Sequence, residues 1–486
     1  MACGEAGVSR MPLAQSFRDP GGVCVVREDS VLRVTTTSGL ADLESFLSSD
    51  SASKLAAKRH LPASRRLDEI EVQRLRGEEG LRQLFQRIEC AGVFEHERIQ
   101  FASFPHEWPP EMLHAAGMLT LDICQAVLAD GFGLKDATPG NILFRGSSPV
   151  FIDLLSFERR NPADPIWNAH AQFCRNFILP LMAHKYWGIR PAAIFLSRRD
   201  GLEPDEVYEW LGRVRRFLPP FLSHVSLPKW LSGQAKSPSL YRTHTIANAE
   251  KALFILDSSF LRLRASMRSL EPGSQQNGSW SEYMNTHSYS AENFKAKEEF
   301  VRGAVSDCRP RRLLDVGANT GYFSALAARS GAGVVSIDSD AACVGAIWRQ
   351  AQASQLDILP LVVDFSRPSP AVGWRNRECP SFLDRATGSF DMVLMLAVLH
   401  HLIVTERIPL DEVIQQAAAI STRHLLIEFV GPEDEMFRTI ARGRNELHKD
   451  LNDAVFEAAC RPHFDVVRSA PSGAARRLYL LRKKDA

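Results

Sequence analysis

The sequence lacks three features that would restrict its surroundings or its partners: a long apolar run, an excess of charge of one sign, and paired cysteines. No apolar segment of its 486 residues approaches the length of a membrane span, and residues 1–20 have no stretch like that of a secretion signal. Lys and Arg total 58 against 57 Asp and Glu, a net charge of +1, so no general attraction to nucleic acid or to an anionic membrane is implied, although local patches are not excluded. The nine cysteines include no Cys-x-x-Cys pair, which argues against a zinc site or a disulfide framework. We therefore expect a soluble, cytoplasmic protein.

Two domains are expected, because 486 residues are too many for one ordinary hydrophobic core. Residues 271–279 are the best linker candidate, since Gly, Pro, Ser and Asn cluster there without an apolar residue. We therefore predict an N-terminal domain at residues 1–270 and a C-terminal domain at residues 280–486.

The N-terminal domain is predicted to be mostly helical with a few short strands, an α+β arrangement. Apolar residues recur every three or four positions over residues 110–129, which predicts an amphipathic helix. A charged amphipathic helix is expected at residues 66–90, and most of 167–265 has a helical pattern. Short strands are predicted at residues 23–26, 31–34, 142–144 and 150–152, the last two as a hairpin.

The C-terminal domain has a different pattern, in which short and nearly continuous apolar runs alternate with helical stretches. Such runs are typical of strands that are buried on both faces of a parallel sheet, so we predict an α/β fold. Strands are expected at residues 313–316, 334–337, 359–363, 392–396 and 425–430, followed by a closing hairpin at 464–468 and 477–481.

Residues 313–321, LLDVGANTG, have the pattern of a strand, a tight turn and the start of a helix. Gly317 and Gly321 allow the backbone to turn sharply and a ligand to approach it closely. Asn319 stands where many such loops carry a third glycine, and Asn is among the residues that best tolerate left-handed backbone angles. Asp315 at the strand end suits a ligand with an ammonium and a sulfonium group better than a dinucleotide pyrophosphate.

Acidic residues also end the next two predicted strands, at Asp338 and Asp364. Open α/β sheets bind their ligands at the carboxyl ends of the strands. The spacing of Asp338 suits ribose hydroxyls, and Asp364 is suited to accept from an adenine amino group. The alternative is that each acid only caps the helix that follows it.

Together these residues resemble motif I and the following acids of class I S-adenosylmethionine-dependent methyltransferases. The resemblance implies a Rossmann-like, seven-stranded sheet with a reversed last strand, and S-adenosylmethionine as the cofactor. It assigns Asp338 to the ribose and Asp364 to the adenine. Residues 390–402, FDMVLMLAVLHHL, resemble the fourth-strand motif of the family, after which the residues face the methyl group, and Leu396 is assigned a cofactor contact.

The segment at residues 280–290, which is aromatic and polar, precedes the first predicted strand. In the resembled family such segments often cover the cofactor, and Tyr283 or Tyr289 would do so here. The alternative is that these rings pack against the sheet.

Three residues are candidates for the chemistry: His400, His401 and Glu428. Methyl transfer requires nucleophile, methyl carbon and sulfur in line, and a hydroxyl nucleophile benefits from a general base such as His. Consecutive residues do not share a face, so we expect one histidine to point into the site and prefer His400; alternatively one packs and the other is solvated. Glu428 lies in an apolar run, where it binds substrate, orients a histidine or forms a structural ion pair. Adjacent histidines without a carboxylate at ligand spacing do not predict a metal site.

The N-terminal domain contains a second motif, Asp136 and Asn141 in the spacing Asp-x-x-x-x-Asn, with Asp153 after the predicted hairpin. Residues 110–190 thereby resemble the C-lobe of protein-kinase-like and aminoglycoside-phosphotransferase-like folds, in which these residues supply a base and magnesium ligands. A Gly-x-Gly-x-x-Gly loop, a strand lysine and an Asp-Phe-Gly motif are missing. We therefore favour a degenerate kinase-like module over an active kinase, and a chance occurrence of Asp and Asn in a turn remains open.

The combination of the two domains resembles a family of rhizobial host-specific nodulation proteins, through residues 135–144, 150–159 and 425–436. The resemblance implies modification of a signal molecule or a surface glycan during host infection. Our leading hypothesis is a methyltransferase that acts on a small molecule or a glycan precursor. The competing hypotheses are an ATP-dependent kinase and a non-catalytic adaptor, while an RNA methyltransferase is less favoured because no aromatic and basic stripe was identified.

Overall fold

The computed structural model describes residues 18–232, 245–273, 291–443 and 445–484. We call residues 18–273 the N-terminal part and residues 291–484 the C-terminal part. Residues 271–273 of the predicted linker form neither helix nor strand. The remainder of that linker lies outside the described residues, as do Tyr283 and Tyr289 with their predicted role over the cofactor.

The N-terminal part begins with a four-stranded antiparallel sheet in the order β1-β2-β4-β3. Its strands are β1 (Gly22–Val26), β2 (Ser30–Thr35), β3 (Ser64–Arg66) and β4 (Gly92–Glu97). The pairing of the first two strands confirms the prediction, whereas the sequence analysis did not predict β3 and β4. β3 has only three residues and two of them are exposed, so it carries no apolar alternation.

Further along the chain, two short antiparallel pairs follow the long helix that was predicted for residues 110–129. The pairs are β5 (Phe132–Leu134) with β8 (Phe157–Arg159) and the hairpin β6 (Ile142–Arg145) with β7 (Ser148–Phe151). The hairpin matches the prediction.

The helices of the N-terminal part surround these strands. They are α1 (Thr37–Leu47), α2 (Asp50–Ala57), α3 (Glu69–Gly77), α4 (Glu79–Arg87), α5 (Pro110–Leu128), α6 (His170–Phe173), α7 (Leu179–Trp187), α8 (Pro191–Ser197), α9 (Pro204–Glu209), α10 (Leu227–Ser232) and α11 (Ala249–Ser269). The single helix predicted at residues 66–90 is wrong, because the chain turns at Glu78 between α3 and α4. Asp68 and Glu71 form the capping box that starts α3. None of the helices in the described ranges combines the length and apolarity that a membrane crossing requires.

The C-terminal part is built on a seven-stranded sheet in the order β11-β10-β9-β12-β13-β15-β14. The strands are β9 (Arg312–Val316), β10 (Gly333–Asp338), β11 (Ile358–Val362), β12 (Phe390–Met395), β13 (Ser421–Val430), β14 (Phe464–Gly473) and β15 (Arg476–Lys483). The first five strands are parallel, and β15 runs antiparallel to β13. This confirms the expected α/β sheet with a reversed last strand.

Helices connect the parallel strands and cover the sheet. They are α12 (Ala291–Cys308), α13 (Tyr322–Arg329), α14 (Ala341–Ser354), α15 (Phe382–Ala386), α16 (Leu410–Ile420), α17 (Glu435–Ala441) and α18 (Asp453–Cys460). The order places β9 and β12 side by side in the middle, so the chain reverses direction through the sheet between them. A crevice at the carboxyl ends of the strands is expected at this point in open α/β sheets.

The two parts pack against each other near the β11 side of the sheet. Arg385 on α15 forms an ion pair with Glu107, which is completely buried, and also donates to the carbonyl of Ala102. The ring of Phe101 lies 5.6 Å from that of Phe390, measured between centroids. Trp348 on α14 donates from its indole nitrogen to a carbonyl of the hairpin turn between β6 and β7, at 3.1 Å. Because this junction contains buried charge and apolar rings, the N-terminal part supports the sheet that carries the site below.

Candidate functional site

The loop after β9 has the tight geometry that its glycines predicted. Gly317 and Gly321 have φ angles of +68° and +80°, and Asn319 between them has a φ of +49°. A Cβ atom at Gly321 would lie 2.8 Å from a side-chain carbon of Ile347, so a larger residue would have to displace α14. The side-chain oxygen of Asn319 is buried and accepts no hydrogen bond from the described residues. That oxygen is an acceptor suited to a ligand hydroxyl or ammonium.

Asp315 is the first of the three acids at the strand ends, and only 3% of it is exposed. The hydroxyl of Ser324 on α13 donates to its carboxylate at 2.6 Å, and the hydroxyls of Ser324 and Ser336 lie 2.8 Å apart. Burial, opposed by the Ser324 hydrogen bond and assisted by the nearby Asp338, raises the pKa of Asp315 to about 7. The carboxyl group therefore changes charge near neutral pH.

Asp338 is the last residue of β10, and its carboxylate faces the loop. One oxygen accepts from the backbone nitrogen of Asn319 at 2.9 Å, and the other accepts from the backbone nitrogen of Asp340 at 2.9 Å. Asp340, and not Asp338, caps α14, because its side chain accepts from the nitrogen of Ala342. The capping alternative is therefore wrong for Asp338. Burial raises its pKa, as expected for an acid that has no cationic partner among the residues that the structure describes.

The remaining predicted cofactor residues lie on either side of this loop. Asp364 follows β11 and accepts from the backbone nitrogen and the hydroxyl of Ser366 at 2.8 and 2.6 Å, so one carboxylate oxygen serves the local turn. Leu396 follows β12 directly and is 8% exposed in the apolar cluster beneath the loop.

His400 and His401 follow β12 and differ in burial. His400 is 2% exposed, and neither of its ring nitrogens has a hydrogen-bond partner among the described residues. His401 is half-buried, and its ring lies 4.3 Å from that of His400. Burial lowers the pKa of His400 well below its usual value, and His401, Arg476 and Lys297 lower it further. His400 is therefore uncharged at neutral pH.

The turn that presents these histidines holds Ala397 at a φ of +55°. Positive φ is uncommon for a residue with a Cβ and is concentrated at functional sites. The sequence analysis missed Ala397, because alanine carries no local signal for such a conformation.

Glu428 on β13 is completely buried and forms the ion pair that had been left open as an alternative. Its partner is Lys297 on α12, at 2.6 Å, and Ser472 on β14 donates to its other oxygen at 2.9 Å. Burial alone would raise the pKa of Glu428, but Lys297, Arg476 and Ser472 together lower it below its usual value. Glu428 is therefore a carboxylate, and Lys297 provides its counter-charge.

Arg476, at the start of β15, is a site residue that the sequence analysis missed. It donates to the carboxylate of Asp434 at 2.6 and 3.0 Å and lowers the pKa values of both histidines. Its signal in the sequence was weak, because the closing hairpin was predicted to start one residue later. The two ion pairs Lys297–Glu428 and Arg476–Asp434 therefore lie close enough to His400 for their cations to act on its pKa.

Asp136, Asn141 and Asp153, which resemble a kinase motif, lie in the N-terminal part, and Arg33 is a neighbour of Asp153 that was not predicted. Asp153 lies 3.5 Å from the guanidinium of Arg33 on β2, and Asp136 is exposed and accepts from Gln172 at 3.4 Å. The side-chain nitrogen of Asn141 is buried and has no acceptor among the described residues. Burial raises the pKa of Asp153, while Arg33 opposes this rise. Arg33 stands on a strand opposite Asp153, where kinase-like folds carry a lysine.

Comparison with known proteins finds a methyltransferase family model and a relative that spans nearly the whole chain. Residues 260–454 match a family model described as a methyltransferase domain. The chain is 29% identical over 479 residues to the nodulation protein NoeA of Rhizobium meliloti (strain 1021). The aligned region covers 97% of this chain and 96% of the relative.

Two solved structures are also similar in part. One is the N-methyltransferase NodS of Bradyrhizobium japonicum WM9 with S-adenosyl-L-homocysteine (15% identity, TM-score 0.31, 45% of this chain and 98% of that chain). The other is the magnesium protoporphyrin IX methyltransferase of Synechocystis PCC 6803 (16% identity, TM-score 0.30, 40% of this chain and 84% of that chain).

The chain thus combines the family match at residues 260–454 with the seven-stranded sheet and a glycine loop flanked by strand-end acids. The buried carboxyl of Asp315 and the free acceptor of Asn319 suit a ligand that carries an ammonium group. The protein is therefore an S-adenosylmethionine-dependent methyltransferase, with its methyltransferase domain in the C-terminal part of the chain.

Proposed function

We propose that this enzyme transfers a methyl group to a small molecule or a glycan precursor, with His400 as the general base. The observation that carries the proposal is the burial of His400 with both ring nitrogens unpartnered among the described residues, directly after β12. A buried imidazole without a partner loses hydrogen-bonding energy, and a substrate hydroxyl at this position would restore it. His401 is the alternative base, and Glu428 has a structural role in the buried ion pair with Lys297.

The cofactor, when bound, supplies a methyl carbon on a sulfonium sulfur. We propose that it is held by Asp315, Gly317, Asn319, Gly321, Asp338, Asp364 and Leu396, as in the resembled family. The loop between Gly317 and Gly321 offers the close backbone approach, and Asp338 accepts from the ribose hydroxyls. His400 takes the proton from the acceptor hydroxyl, which it can do because its lowered pKa leaves it uncharged. The remaining rate enhancement comes from the residues around the site, which align the acceptor oxygen with the methyl carbon and the sulfur.

The biological role that we propose is host-specific nodulation, through modification of a signal molecule or surface glycan in the cytoplasm. Support comes from the relative named nodulation protein NoeA, which the chain matches over nearly its whole length. Methyl-labelled S-adenosylmethionine, incubated with the enzyme and separate nucleotide-sugar, oligosaccharide and RNA fractions, tests the substrate class. Label in a sugar fraction supports the proposal, and label only in RNA contradicts it.

Titration of the full chain with S-adenosylmethionine by calorimetry tests the cofactor site. Asp338→Ala should weaken binding by about tenfold to a hundredfold, because a hydrogen bond to a charged group contributes about 1.5–3 kcal/mol. Asp340→Ala is the matched control: it removes the α14 cap two residues away and should leave the affinity nearly unchanged. Equal affinities for wild type and Asp338→Ala would contradict the assignment.

The affinity for the cofactor should also depend on pH. Below about pH 7 the free enzyme holds Asp315 protonated, and the cofactor ammonium must displace that proton to gain a carboxylate. We expect the dissociation constant to rise about tenfold for each pH unit below 7, as one linked proton requires. Asp315→Asn should bind more weakly at pH 8 and lose this slope. A wild-type affinity that is constant from pH 8 to pH 5 would contradict the linkage.

We propose that residues 1–270 form a degenerate kinase-like domain, which the linker at 271–279 joins to the methyltransferase domain at 280–486. The supporting observation is the contact between Arg33 and Asp153, because a fixed guanidinium beside this carboxylate competes with a divalent cation. Magnesium and ATP titrated into the wild type should produce no binding heat. Saturable binding that Asp153→Ala removes would instead assign phosphoryl transfer to Asp136, Asn141 and Asp153.

A further inference from the structure

One segment of the N-terminal part departs from the balanced charge of the chain. Residues 210–249 contain no Asp or Glu, although the whole sequence has 57 of them. The same segment contains six Lys and Arg residues together with two tryptophans and exposed aliphatic residues. Its described portion, up to residue 232, is therefore both basic and apolar.

Several apolar side chains of this segment are exposed to solvent. We define the apolar patch as Val214, Phe217, Leu218, Trp230 and Leu231, which are between 42% and 73% exposed. The rings of Phe217 and Trp230 lie 5.8 Å apart, so the turn before α10 and α10 itself contribute to one surface. Contiguous apolar surface of this kind marks a site of interaction with a protein or a membrane.

Buried residues between its two halves support the apolar patch. Phe221 and Val225, which lie between its two halves in the sequence, are 5% and 0% exposed in the main core. The hydroxyl of Ser226 donates to the carbonyl of Arg216 at 2.7 Å and ties the two halves together. Phe217 and Leu218 are 63% and 50% exposed and therefore project outward from these buried neighbours.

Cations flank the apolar patch. Arg213 and Arg215 are exposed, and neither forms an ion pair with another residue in the part of the chain that the structure describes. Lys229 pairs with Asp205, and the guanidinium of Arg216 lies over the ring of Tyr208 at 4.0 Å. The surface beside Phe217 therefore carries two uncompensated positive charges.

From this arrangement we infer that the apolar patch and its arginines dock the enzyme on an anionic phospholipid surface. Aromatic and aliphatic side chains enter the boundary between headgroups and acyl chains, while Arg pairs with anionic headgroups. A nucleic acid matches the charge of Arg213 and Arg215 but leaves Val214, Leu218 and Leu231 in water. A protein partner matches the apolar side chains, but desolvation of two unpaired arginines opposes it. The proposal is independent of the methyl acceptor, and it requires attachment at the surface only.

Flotation of the full chain with vesicles tests the inference. Vesicles of phosphatidylcholine with phosphatidylglycerol should carry the protein, and vesicles of phosphatidylcholine alone should carry much less. Phe217→Ser with Leu218→Ser should reduce binding at least tenfold. Arg213→Gln with Arg215→Gln should reduce it about thirtyfold, at about 1 kcal/mol for each basic residue near an anionic membrane. Added salt should weaken binding of the wild type.

Trp374→Ser and Arg423→Gln are the matched controls, since both residues are exposed in the C-terminal part, and they should bind as the wild type does. Thermal melting and cofactor titration, both unchanged in the patch variants, establish that these fold. Three results would overturn the inference: no flotation with anionic vesicles, flotation that the patch variants leave unchanged, or self-association or polyuridylate binding through the patch without vesicle binding.

Discussion

Replacement of Lys297 by Met should lower the free energy of unfolding by about 3–5 kcal/mol, the cost of leaving a buried charge without its partner. Glu428 is completely buried, and Lys297 on α12 provides its charged contact at 2.6 Å. Arg476 acts on Glu428 but is itself bound to Asp434, and Ser472 contributes only a neutral hydroxyl. Urea denaturation at neutral pH measures the change.

Two further variants separate charge from packing in this experiment. Lys297→Met combined with Glu428→Gln removes both charges and keeps an acceptor for Ser472, so it should regain most of the lost stability. Arg302→Met breaks an ion pair with Glu298 on the same helix, but at the surface, and should have no measurable effect. If Lys297→Met and Arg302→Met lowered the free energy of unfolding by equally small amounts, water would have to reach Glu428. The burial of the Lys297–Glu428 ion pair would then be refuted.

Replacement of His400 by Ala should lower kcat/KM about 10²–10⁴-fold once an acceptor is known, which is the usual contribution of a general base. The affinity for S-adenosylmethionine should remain within a factor of two or three, because none of the proposed cofactor contacts involves His400. The dependence of the wild-type rate on pH is a second test of the role of His400. Because the pKa of His400 is well below 6.5, the base is active throughout the neutral range, and the wild-type rate should fall only on acidification.

His401→Ala is the matched control for this prediction, since His401 is the neighbour with the more exposed ring. It should change kcat/KM by much less than His400→Ala does. The reverse order would assign the base to His401, and unchanged rates for both would mean that the acceptor needs no base. His400→Gln should keep the fold without restoring the rate, because an amide does not accept the proton.

Local patterns in the sequence were sufficient for most of the sheet of the C-terminal part. Strands buried on both faces require nearly continuous apolar runs, and that requirement is visible at β9, β10 and β12. The loop from Gly317 to Gly321 was equally readable, because its positive φ angles restrict the residue types. The pattern failed between α3 and α4, where both helices are amphipathic and the turn at Glu78 contains no proline and follows a single glycine.

The sequence by itself determined the fold of the C-terminal part, the glycine loop after β9 and the strand-end positions of Asp315 and Asp338, because each depends on backbone geometry or apolar pattern within a few residues. Only the tertiary structure decided the partners of buried charges. Lys297 meets Glu428 across 131 residues, and Arg33 meets Asp153 across 120, because helices and strands that are distant in sequence cross there. A carboxylate in an apolar run indicates that a counter-charge is needed. Which residue provides that counter-charge depends on long-range packing, which a local sequence pattern does not predict.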